Sequence, residues 1–191
     1  TATELNILDG VTATATELNL LDGATSLGGA SNVNGLSDAL VETNSMYIGD
    51  DPSSTTDGAQ YNVAVGINAL DAVTTGDKNV AIGYDALTSN TTGQGNTASG
   101  YRSLYSNTTG LYNTASGDRS LYSNTEGDYN TAFGLMSLYS NTTGVYNTAS
   151  GYKSLFANTT GHANTAYGYE SLRSNTTGVY NTAFGHVNLY A

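Results

Sequence analysis

The chain has 191 residues, with 23 Gly, 15 Tyr, one Pro, no Cys and no Trp, and only 11% of it is charged. A net charge of −11 and the lack of any Lys/Arg cluster argue against binding to nucleic acid or to an anionic membrane surface. The missing Cys removes disulfides and thiolate metal sites, and no apolar run reaches the ~18 residues of a membrane-spanning helix.

Residues 1–23 carry "TATELNILDGV" and "TATELNLLDGA", offset by thirteen positions, with Leu5 matching Leu18 and Leu8 matching Leu21. Thr3 and Thr16 suit helix N-caps, Glu4 and Glu17 suit first turns, and Gly10 and Gly23 suit helix ends. Helices of about six or seven residues are unstable alone in water. They predict a narrow stalk in which several parallel chains cover the leucines. Residues 24–45 begin with "GATSLGGASNVNG", a flexible connector by composition. "LSDALVE" (36–42) then predicts a short helix with Leu36, Ala39 and Leu40 on one side. Over 46–60, "MYIG" predicts a strand and "DDPSSTTDG" a turn-rich loop. The chain opens on Thr1, inside a repeat and with no signal peptide to read, as a piece of a longer protein would.

From 61 to 191 a second repeat takes over. Asn62, Asn79, Asn96, Asn113, Asn130, Asn147, Asn164 and Asn181 recur every seventeen residues, and the last unit is incomplete. Other columns keep step: Ala98 with Ala115, Gly100 with Gly117, Leu104 with Leu121, and Gly110 with Gly127. Seventeen residues with two fixed glycines suit one coil of a parallel β-solenoid: a strand at "YNTAx", a corner at Gly, a stretch through "SL", and a return turn at "NTTG". The predicted class is therefore all-β. Eight coils stacked about 4.8 Å apart make a rod of about 40 Å. For its core each coil offers Leu, Ala and a variable residue such as Val65, Ile82, Phe133 or Phe184. One buried Leu contributes roughly 1.5–3 kcal/mol, against about 1–2 kcal/mol to order each residue. That shortfall predicts an oligomer in which Ala/Gly faces pack around a shared axis.

"NVAVGINAL" and "NVAIGYDAL" resemble the head repeats of trimeric autotransporter adhesins, and "GxYNTAxGxxSLxxNTTG" resembles repeats of phage tail fibres. "TATELNILDG" is similar to a repeat of phage tail fibres, those of marine cyanophages among them. The resemblance covers almost the whole chain. It implies a β-roll in a parallel homotrimer, other virion tail proteins as neighbours, and a location on the virion tail fibre. The role implied is a rigid spacer for attachment to a host-surface polysaccharide or protein. Alternatives are the head of a bacterial trimeric adhesin on a cell surface, and an ice- or glycan-binding solenoid. A polysaccharide-degrading spike is disfavoured, since no carboxylate cluster interrupts the repeat.

Catalysis needs positioned acids, bases or nucleophiles. His162 and His186 stand in variable columns and no "GxSxG" occurs, so we expect no enzyme and no cofactor. Asp50, Asp51 and Asp57, or Glu126 with Asp128, could offer oxygen ligands to Ca²⁺; solvated acidic loops explain them better. "NTT" at Asn90, Asn107, Asn141, Asn158 and Asn175 matches the N-glycosylation pattern, and turn chemistry accounts for it better. Two tyrosine columns remain: Tyr105, Tyr122 and Tyr139, continued by Phe156, and Tyr112, Tyr129 and Tyr146, joined by Tyr180. They predict structural ring ladders first and glycan contacts second.

Overall fold

The structure is a computed structural model, and it describes residues 39–42, 45–48 and 58–187. The predicted stalk, most of the connector, the loop with Asp50, Asp51 and Asp57, and the last four residues lie outside that range.

Ten strands form one sheet in sequence order. β1 (Ala39–Glu42) pairs antiparallel with β2 (Ser45–Ile48). The short helix read over 36–42 is therefore a strand across its last four residues, where neighbouring β2 supplies the pairing that "ALVE" alone cannot signal. Each later strand is three residues long and opens one coil: β3 (Val63–Val65), β4 (Val80–Ile82), β5 (Thr97–Ser99), β6 (Thr114–Ser116), β7 (Thr131–Phe133), β8 (Thr148–Ser150), β9 (Thr165–Tyr167) and β10 (Thr182–Phe184). From β2 onward all pairs are parallel and offset by one repeat, as in Ala98 opposite Ala115. The described part is thus an all-β parallel solenoid of seventeen-residue coils.

Strands of three residues would be marginal if they alone bonded. Backbone bonds between coils instead continue around the rest of the turn. The Leu104 N–H donates to the Ser120 carbonyl at 3.0 Å, Ser106 to Tyr122 at 3.1 Å, and Thr108 to Thr125 at 3.0 Å. Gly100 and Tyr112 donate the other way, to Ile82 at 2.8 Å and Gln94 at 2.9 Å. Every side of the coil is tied to its neighbours.

Gly100 ends its strand at φ 136, and a Cβ there would sit 2.6 Å from the Gly117 carbonyl oxygen of the next coil. Bends at three other columns fall on residues with side chains: Arg102 (φ 52), Leu104 (φ 50) and Tyr112 (φ 54), repeated from coil to coil. Left-handed backbone costs a residue with a Cβ about 1–2 kcal/mol. The cost is tolerated because it turns Leu104 inward, where it is fully buried, while Tyr112 stays outside.

The interior differs from the expected one. Ala98, Ala115, Leu104 and Leu121 are fully buried, as are Asn96, Asn107, Asn113, Asn124, Ser103 and Ser120. The variable residues assigned to the core point outward, because they stand one place beyond the inward Ala: Ile82 is 46% exposed, Phe133 49% and Phe184 66%. Polar side chains fill the volume that apolar ones were expected to fill. The Ala column is closed by the chain's own coils, so it offers no face to a partner. At the first turn, Tyr47 replaces that Ala and is buried beneath Ala64, with its hydroxyl 3.5 Å from Asn62 Nδ2.

Candidate functional site

Two asparagine ladders set the frame on which everything outward is mounted. In the first, Asn113 Oδ1 accepts the backbone N–H of Asn130 at 2.9 Å, and Asn113 Nδ2 donates to the Gly127 carbonyl of its own coil at 2.7 Å. One side chain therefore closes its coil and joins the next. In the second, Asn124 Nδ2 donates to Asn107 Oδ1 at 2.8 Å and to the same Gly127 carbonyl at 3.0 Å. Gly110 sits where these ladders meet its coil; a Cβ on it would come within 2.7 Å of the Gly127 oxygen. Ser120 Oγ bonds the Gly117 carbonyl at 3.1 Å. Among the described residues, no buried side-chain nitrogen or oxygen lacks a partner. That completeness is what makes a polar core stable, since an orphaned buried group costs about 1–3 kcal/mol.

The same ladder decides the "NTT" motifs. Asn90, Asn107, Asn141 and Asn158 are fully buried, with each amide nitrogen committed to a glycine carbonyl. In the folded solenoid these four amides are inaccessible to a glycosylating enzyme, whereas Asn175 is half-buried and donates to the Gly178 carbonyl at 3.3 Å.

Outside, two strand residues of each coil flank the buried Ala and share the strand face, and the residue at the left-handed bend before the strand stands beside them. In one coil they are Tyr129, Thr131 and Phe133; in the next, Tyr146, Thr148 and Ser150. The exposed large apolar residues gather on this face and at the Gly corner beside it, where Tyr84, Tyr101, Leu135 and Tyr169 stand. The threonine row is regular from Thr97 onward, after Val63 and Val80, but its outer flank mixes Ser99, Ser116 and Ser150 with Ile82, Phe133 and Tyr167. A flat, uniform threonine surface of the kind expected for ice is thus interrupted by rings.

Both predicted tyrosine columns are stacked ring ladders. Tyr105, Tyr122, Tyr139 and Phe156 follow one another at 5.1, 5.1 and 5.2 Å with interplanar angles of 4°, 3° and 13°. This column is half-buried. Tyr112, Tyr129 and Tyr146 stack at 5.2 and 5.1 Å and are exposed. A stacked ring presents its edge and hydroxyl to solvent, while its faces are taken by its neighbours. Within a ladder, sugar stacking is therefore confined to the ends.

The role of the basic residues is not legible from motif searches. Arg102 lies 5.1 Å from the Tyr101 ring centre and 5.4 Å from that of Tyr105; Arg119 lies 5.2 Å from Tyr101. Lys153 sits 5.1 Å from Tyr152 and 5.4 Å from Phe156, which Arg173 approaches at 6.0 Å. Cations thus close ring columns where the aromatics stop. The available signal was that four of the five basic residues fall in two columns beside Tyr or Phe. Asp85, hydrogen-bonded to Arg102 Nε at 3.0 Å, holds that guanidinium above its ordinary pKa.

The remaining candidates are dispersed. His162 is exposed, with Nδ1 3.4 Å from the Thr160 carbonyl, and His186 stacks on Tyr169 at 4.8 Å. Asp128 accepts the Leu111 N–H at 2.7 Å, and Glu126 is exposed. Among the described residues, no three His, Asp or Glu side chains come together to hold a metal ion. Compared with family models, with curated proteins and with solved structures, the chain matches none.

Proposed function

We propose that this chain is a segment of a parallel homotrimeric fibre of the kind phage tails carry, and that its work is mechanical. It holds an attachment tip at a distance from the particle, with no catalysis of its own. The observation that supports this reading most is the bonding of every side of each coil to its neighbours, in a register unbroken from β2 to β10. A stack tied all the way round resists bending and leaves little loose backbone for a protease.

In this reading the three chains meet through the outer flank of the strands and not through the buried Ala column or the tyrosine column. Ile82, Phe133, Tyr167 and Phe184 are between 46% and 66% exposed on that flank, and burying them would give the interface an apolar centre. A partner lying along the face must repeat at the same coil spacing, which a parallel copy in register does by construction. Light scattering on the whole chain tests the reading. A native mass three times 19.7 kDa is expected; a monodisperse folded monomer would sink it.

A further inference from the structure

The exposed tyrosine column has a missing rung. Tyr112, Tyr129 and Tyr146 occupy successive coils, Ala163 takes the next place, and Tyr180 resumes the column. Ala163 keeps the backbone shape of its neighbours, with φ 54 against 54, 55 and 59 for the three tyrosines. Only the ring is lost.

The direction in which the rings lean shows which surface this uncovers. A Cβ on Gly95, one coil before Tyr112, would lie 2.6 Å from Tyr112 Cδ1. The Tyr112 ring therefore lies over the preceding coil, and the near-parallel rings of Tyr129 and Tyr146 lean the same way. A ring at 163 would have rested on Tyr146. In its absence Tyr146 is 61% exposed, against 46% for Tyr129, which is stacked on both sides. Tyr180 does not close the gap, because it turns edge-on to His162, with ring centres 6.3 Å apart at 82°. The half-buried ladder ends differently, with Arg102 over Tyr105 and Arg173 beside Phe156.

Two coil steps open about 10 Å between the column positions of Tyr146 and Tyr180. A six-membered ring one coil step from Tyr146 would sit about 5 Å from its ring, within the ~4.5–7 Å range of stacked rings. Along the outward columns from 146 to 184 stand Thr148, Ser150, Thr165, Tyr167, Thr182 and Phe184, none of them charged. A charged sugar would find no counter-ion among these six side chains, whereas a neutral one needs none. We propose that the gap at Ala163 binds a neutral pyranose unit of a polysaccharide. The C–H face of the sugar lies on the open π face of Tyr146, and its hydroxyls meet the threonine row and His162. The inference rests on the tyrosine column and not on the trimeric fibre.

Saturation-transfer NMR on the whole chain, with maltohexaose, cellohexaose and xylohexaose offered separately, tests it. Transfer to the ring protons of at least one is expected. Ala163→Tyr supplies the missing rung and Tyr146→Ala removes the platform; each should weaken that binding about tenfold, with far-ultraviolet circular dichroism unchanged in Ala163→Tyr. Tyr84→Ala, at the Gly corner, should leave binding within about twofold. Transfer to none of the three sugars, or undiminished transfer in Ala163→Tyr, overturns the proposal. So does a fall in native mass in Ala163→Tyr without loss of sugar binding, which would assign the gap to an aromatic side chain of a second copy. Each of these failures is separate from that of the fibre reading, which stands or falls on the native mass of the unaltered chain.

Discussion

Inside the solenoid, one column reads Asn96, Asn113, Asn130 and Asn147; outside, the column three places on reads Ser99, Ser116, Phe133 and Ser150. Both belong to the same coils, yet one is uniform and the other changes at almost every step. An inward Asn is bonded to its own coil and to the coils on either side, so altering it leaves groups orphaned in three places. An outward residue touches its column neighbours and solvent. The first coil marks the limit of the rule. Val73 stands where later coils place Asn90 and Asn107, and Ala69 and Ala86 stand where they place Ser103 and Ser120, all buried. The second Asn ladder and the serine column are therefore features of the later coils, whereas the first Asn ladder runs from Asn62 onward.

Substitutions in the middle of the array should break this contrast in a definite order. Asn113→Leu keeps the branched shape but strips the Asn130 N–H and one of the bonds at the Gly127 carbonyl of their partners, and should cost about 3–5 kcal/mol in urea unfolding. Gly117→Ala places a Cβ 2.6 Å from the Gly134 oxygen at φ 135; a loss of about 2–4 kcal/mol by the same measurement is expected. Tyr122→Ala removes a half-buried ring stacked on both sides, which should cost about 1–3 kcal/mol and lower the thermal midpoint more than Tyr129→Ala in the exposed ladder. Ser120→Ala should cost less than about 1 kcal/mol, since the chain itself uses Ala at 69 and 86 in that column. If Ser120→Ala proved as damaging as Asn113→Leu, the distinction between essential and exchangeable inward columns would be lost.

Much of the architecture was legible before any coordinates. The seventeen-residue step fixed the number of coils, the strand at each "NTA", and the stacking of Ala on Ala and Tyr on Tyr. The second Asn column was visible too, but it read as turn chemistry at the corners. Its burial was not legible, because Asn serves a surface corner and an interior ladder equally well. The assignment of Ile82 and Phe133 to the core failed for a related reason. Their apolar character suggested burial, while strand alternation with the inward Ala put them outside. Of the candidate site, the tyrosine columns were readable, but which ring keeps an open face was not. That depends on the lean of the rings, which shows only in the closeness of Tyr112 to Gly95.

The sequence by itself determined the period, since a strict repeat with two glycines and an inward Leu admits few structures other than stacked coils. Only the tertiary structure decided what the interior is made of. Whether an Asn is buried depends on finding donors and acceptors on the coils above and below, and those partners lie about seventeen residues away along the chain.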